Sequence, residues 1–259
     1  MSKNRQIKFL GAVFCLALAG VFLSRIDRVK KPKQAVIDFE KNNEAIQDEL
    51  EQKIGVTREK LIMTEEKKLP EQILLGVPFT SQAPWGKWDE YHEEACEEAS
   101  LLMVAYFAQG KKLTPAVAEK EIQSLMAYEI KNGGNYKDAT VAEIGRLGAQ
   151  YYHLKNWRAV YDFEPENLKK YLAEGKPLII PVAGRLLKNP NFKSPGPLYH
   201  NLVAIGYEGD MIITNDPGTR KGKGYRYNLK TLYEAIHDFP GDKLKIETGR
   251  KALLVWESF

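Results

Sequence analysis

Cysteine is almost absent from this chain: of 259 residues, only Cys15 and Cys96 carry a thiol. Cys15 lies inside an apolar run, so the two are not expected to pair. A disulfide framework is thereby excluded, and so is a zinc site built on several thiolates. Histidine is scarce as well, with only His92, His153, His200 and His237. Their spacing to the carboxylates supports no metal site, and no cofactor is expected. His92 and Cys96, four residues apart in HEEAC, match half of a zinc-protease pattern but lack a clear third ligand. There is no Walker-type glycine loop and no internal repeat. Positive charge is also missing where a nucleic-acid partner would need it. The chain totals +4, yet residues 1–33 alone hold eight Lys/Arg against Asp27, a local +7, which leaves −3 for the rest. What the chain does have is enough apolar matter for a packed core, 44% hydrophobic and 10% aromatic residues.

Three segments follow from composition. Residues 1–33 contain the apolar run Phe9–Leu23 with basic residues on both sides. Counted from Ile7 to Ser24 with Lys8 snorkelling, the run reaches the lower edge of a spanning helix. The expectation is an uncleaved N-terminal anchor that makes the membrane a partner and sets the domain outside the cytoplasm. A cleaved signal and a secreted domain are the alternative. Residues 34–70 are charged and helix-favouring, and read as a stalk, with a pro-segment as the other possibility. Leu69-Pro70 marks the boundary of a domain over 71–259.

Within that domain the pattern predicts helices at Glu94–Ala108, Pro115–Tyr128, Thr140–Leu147, Glu164–Leu172 and Thr231–His237. It predicts strands at Ala149–Leu154, Pro177–Val182, Leu202–Tyr207, Met211–Asn215, Tyr225–Tyr227 and Ala252–Trp256, with a turn at Glu208-Gly209-Asp210. Helices mostly precede strands, which argues for an α+β fold with an antiparallel sheet.

Four side chains form a candidate site. Cys96 opens an apolar helix, where the partial positive charge of a helix N-terminus favours a thiolate. Glu93, Glu94, Glu97 and Glu98 surround it and oppose that charge, so the thiol would depend on an imidazolium partner. His200 opens the strand HNLVAIGY after a Gly/Pro-rich loop, and Asp216 ends the neighbouring strand MIITND. A base needs such an acceptor on its second nitrogen. Gln82, fourteen residues before Cys96, offers an amide to an oxyanion. Taken singly, Cys96 and His200 fit an ordinary structural role equally well, and Asp216 and Gln82 fit a plain turn and a solvated loop better; their order is the stronger signal. The basic stretch Gly218–Tyr227 reads as a solvated hairpin, with steering of an anionic substrate as the alternative.

The order Gln, Cys opening a helix, His opening a strand, Asp ending the next strand resembles papain-like cysteine peptidases. The pieces VPFTSQ, ACEEASLLMVAYF, LAEGKPLIIPV, HNLVAIGYEGDMIITNDPG and ALLVWE are similar to the double-glycine leader peptidases and their stand-alone relatives. The resemblance implies a papain-like fold with N-terminal helices on the sheet. It also implies a nucleophile at Cys96, a base at His200, an orienting acid at Asp216 and an oxyanion amide at Gln82. Glu97 stands where that family usually has glycine, and the insert WGKWDEYHEE lengthens the Gln-to-Cys spacing. The expected activity is hydrolysis of peptide or related amide bonds in a peptide or protein substrate. The competing expectations are a non-catalytic module that binds peptide or cell-wall material, and a transferase or amidase using the same thiol.

Overall fold

The structure, a computed structural model, describes residues 69–132 and 135–258. The expected anchor and nearly all of the expected stalk lie outside the described residues. Among the described residues no helix is long and apolar enough to cross a membrane.

The strands are β1 (Gln72–Leu74), β2 (Trp157–Tyr161), β3 (Leu178–Ala183), β4 (Tyr199–Glu208), β5 (Met211–Asn215), β6 (Tyr225–Asn228) and β7 (Ala252–Trp256). They form one antiparallel sheet in the order β2-β7-β3-β4-β5-β6, and β1 pairs with the far end of β4. The helices are α1 (Glu90–Glu93), α2 (Cys96–Ala108), α3 (Pro115–Lys131), α4 (Val141–Tyr151), α5 (Glu166–Ala173) and α6 (Leu229–Ala235).

Both faces of the sheet are covered, which is why its central strands read as unbroken apolar runs. Leu178, Ile180, Leu202, Leu253 and Val255 pack against Leu168 and Leu172 of α5 and Leu232 of α6. The alternate residues Ile179, Val203, Leu254 and Trp256 pack against Leu101 and Val104 of α2 and Ile144 of α4. Each such side chain contributes about 1.5–3 kcal/mol on leaving water. Helix α2 has the sheet on one side and α3 on the other, where Ala99, Leu102 and Tyr106 meet Ala118, Ile122 and Met126. Every residue from Cys96 to Tyr106 is therefore buried, the polar Glu97, Glu98 and Ser100 included.

The chain thus has the expected α+β architecture, with helices α2–α4 against an antiparallel sheet. One expected strand is absent: Ala149–Leu154 is not extended. Helix α4 starts at a capping box between Thr140 and Glu143 and runs on to Tyr151. His153 then takes a left-handed φ of 61°, and the Leu154 N–H closes on Gly148 O at 3.1 Å. Tyr-Tyr-His carries strand propensity, but packing overrides it. A Cβ at Gly145 would lie 2.3 Å from the Trp157 ring, and one at Gly148 would lie 3.1 Å from Trp256. The two glycines lower helical propensity yet let α4 lie flush on the sheet. The strand of this region is instead β2.

Candidate active site

Helix α2 begins at Cys96, with Ala95 as an N-cap that supplies no side-chain hydrogen bond. One-turn α1 ends just before it, so the sequence break at Glu94-Ala95 makes Cys96 the first helical residue. Strand β4 carries His200, in register with Val182 of β3. The β4–β5 hairpin turns at Gly209, φ 53°, and β5 ends at Asn215, so Asp216 emerges beside His200. Gln82, Cys96, Glu97 and His200 line one cleft of about 970 Å³.

The His200–Asp216 pair is fully built. His200 Nε2 lies 2.8 Å from Asp216 Oδ1, and both side chains are buried. A carboxylate can only accept, so the proton sits on Nε2 and Nδ1 is left as the basic nitrogen. Asp216 accepts three further bonds: the Gly218 N–H at 3.0 Å, the Tyr227 hydroxyl at 2.7 Å and the Asn189 amide at 3.3 Å. Burial alone would raise this carboxyl; the facing His200 and these donors outweigh it and hold Asp216 below its ordinary value. Gly218 presses on the imidazole, since a Cβ there would lie 3.0 Å from His200 Nε2. Asn189 and Tyr227 were not legible as site residues. The only sequence signal is that Tyr227 is an aromatic in a strand beside the one that ends at Asp216.

Cys96 is arranged differently from the sequence expectation. Its thiol donates to Glu97 Oε2 at 2.9 Å, and no hydrogen bond joins it to His200. Burial first, then the charges of Glu97 and Glu98, push the thiol well above its ordinary value, against the Asn201 backbone N–H, which favours the thiolate. Glu97 is anchored from the other side by the Ala139 N–H at 3.1 Å, and burial raises its carboxyl to about 7. Glu98 faces Glu129 of α3, and burial raises both. The resting thiol is therefore protonated and parked on a carboxylate.

Replacing Glu97 with glutamine should accordingly free the thiol. The pH midpoint of Cys96 alkylation is expected above the 8.5 of an ordinary thiol in the native chain and to fall by at least about one unit in the variant. Mass-spectrometric titration with iodoacetamide checks it. The sign for stability is opposite to that of a salt-bridged acid. A carboxyl raised on folding stabilises fully below its unfolded value and loses that contribution as pH climbs through about 7. Glu97→Gln should flatten that stretch of the stability curve.

Gln82 lies in the cleft but does not offer a free amide. Its Nε2 donates to His92 O at 2.8 Å and to Glu93 O at 3.2 Å, while its Oε1 is buried without a partner. Turning the amide over would set its oxygen against two carbonyl oxygens, so this orientation is fixed. His92 is clamped between Asp89 at 2.6 Å and Glu119 at 3.0 Å, one carboxylate on each ring nitrogen. The inserted segment before α2 has thus captured the amide expected to serve an oxyanion.

The model of the peptidase C39-like family matches residues 74–239, well over half of the chain. No curated protein matches it. Among solved structures, a Bacillus anthracis protein described as a C39-like peptidase aligns with a TM-score of 0.49 at 18% identity, over 73% of this chain and 99% of that one. A fragment of prointerpain A from Prevotella intermedia, in a cysteine-to-alanine form, aligns with a TM-score of 0.46 at 11% identity, over 74% of this chain and 73% of that one.

Proposed function

The chain belongs to the peptidase C39-like family, and from that premise we propose that it is a membrane-tethered thiol hydrolase cleaving peptide or related amide bonds through Cys96, His200 and Asp216. The supporting observation is the His200–Asp216 pair, a buried imidazole with its Nε2 fixed at 2.8 Å on a carboxylate, opening on the same cleft as the only thiol of the domain. Tethering draws its support from the apolar run Phe9–Leu23.

In this mechanism the Cys96 side chain turns from Glu97 to His200, whose Nδ1 takes the proton. The sulfur attacks the amide carbonyl, and the Cys96 backbone N–H, at a helix start without a side-chain cap, stabilises the oxyanion. His200 then gives its proton to the leaving amine, and water hydrolyses the thioester. Asp216 holds the tautomer and balances the imidazolium. Gln82 joins as a second donor once substrate draws its amide away from His92 O.

A peptide carrying a vinyl sulfone in place of its scissile carbonyl tests this. The native chain is expected to form a covalent adduct at Cys96, and His200→Ala to form it far more slowly. A native chain that gives no adduct would end the hydrolase reading. A second reading, a peptide-binding module with a silenced site, is favoured by the thiol's bond to Glu97 and the engaged Gln82 amide. It predicts binding of the same peptide without an adduct.

A further inference from the structure

We propose that the cleft selects substrates with acidic residues immediately C-terminal to the cleaved bond, and rejects acids on the acyl side. The inference rests on the hydrolase reading above and names the substrate class of that same site. Its basis is a division of charge along the cleft. Arg185 and Lys193 directly follow Gly184 and Phe192, which lie against His200, and Arg220 and Lys221 follow Asp216; all four line the cleft and none forms an ion pair with any described residue. Two of them are positioned by contacts. The Arg185 Nε donates to Gly196 O at 3.3 Å. The Arg220 guanidinium lies over Gly86, whose φ of 71° and missing side chain leave it room: a Cβ there would be 3.2 Å from Nη1.

The Cys96 side has the opposite sign. Glu93, Glu94 and Asp138 line it. Lys243 bridges two of them, at 3.4 Å from Glu94 and 3.2 Å from Asp138, so it is not available to a ligand as the other four cations are.

The chemistry decides which half of the substrate meets which charge. The acyl carbon bonds to the Cys96 sulfur, so the acyl half lies on the acidic side. The departing nitrogen takes its proton from His200, so the amine half passes over the imidazole and between the four free cations. A glutamate or aspartate in the first residues of that half meets positive charge in a confined cleft, where attraction is stronger than in open water. The same side chain in the acyl half meets like charge. The basic stretch after Asp216 is thereby a specificity wall rather than only a solvated hairpin.

Three peptides that share one cleavable core test this, with glutamates on the amine side, on the acyl side, or on neither. Values of kcat/KM are measured with the full native chain at low and high salt, with product masses locating the cut. The amine-side acidic peptide is expected to be cleaved about tenfold faster than the neutral one, and the acyl-side acidic peptide more slowly, with the spread shrinking in 0.5 M salt. In Arg220→Glu/Lys221→Glu the ratio of acidic to neutral rates should collapse or invert. Equal rates for all three peptides would overturn the proposal and leave the hydrolase reading intact; no cleavage of any peptide would overturn the hydrolase reading itself.

Discussion

Cys96→Ala should eliminate amide hydrolysis while leaving the fold in place. The expected loss in kcat is at least about 10³-fold, in line with removal of a nucleophile that no other group can replace. The structural cost is small for identifiable reasons. Cys96 occupies the first position of α2, where alanine is at least as good a helix former. Its sulfur makes one side-chain hydrogen bond, to Glu97, and that carboxyl keeps the Ala139 N–H as partner when the thiol is gone. A change in stability within about 1 kcal/mol is therefore expected. Steady-state turnover of a fluorogenic peptide, with thermal unfolding as the control, provides the check. Turnover within tenfold of the native chain would remove Cys96 from the chemistry.

Asp216→Ala should damage both activity and stability. The carboxylate is completely buried and accepts from His200, Tyr227, Asn189 and Gly218. Alanine leaves four donors facing a void. Breaking a buried charged pair of this kind costs about 3–5 kcal/mol, and loss of the orienting acid costs about 10⁴ in kcat by comparison with other triads. Asp216→Asn separates the two effects. Its carbonyl oxygen can still accept from His200 Nε2 and the Gly218 N–H, and the Tyr227 hydroxyl turns round to accept from the new amide; only the Asn189 N–H, which also donates to that carboxylate oxygen, loses its acceptor. It should therefore keep most of the stability and more of the rate than alanine. If alanine and asparagine were equally active, the acid would be doing nothing for the base.

How much of this could be read from the chain depends on whether a feature is local. The place of Cys96 at a helix start, the hairpin that sets Asp216 beside His200 and the unbroken apolar runs of the central strands all follow from neighbouring residues, and all are present. Boundaries that depend on packing were not legible. Helix α4 outran its apparent end because Gly145 and Gly148 admit Trp157 and Trp256, and the second of these lies at a sequence distance no window spans. The site divides in the same way. Acids around Cys96 were visible, and so was the misfit of Glu97 in a position usually given to glycine. What could not be read is that the carboxyl turns onto the sulfur, because the Ala139 N–H that fixes it belongs to another loop. The fate of Gln82 was hidden for a similar reason: its partners are backbone carbonyls of the insert, and carbonyls are identical in every sequence.

The turn after Asp216 is clasped to the loop bearing Gln82: Pro217 O accepts the Gln82 N–H at 3.0 Å and the Ser81 hydroxyl at 3.2 Å. The second of these contacts joins residues 136 positions apart. A ribosome that has delivered Cys96 has still to deliver the strand that carries His200 and the turn that latches it. A nascent chain therefore cannot close this clasp, or set Asp216 against His200, until both have left the ribosome.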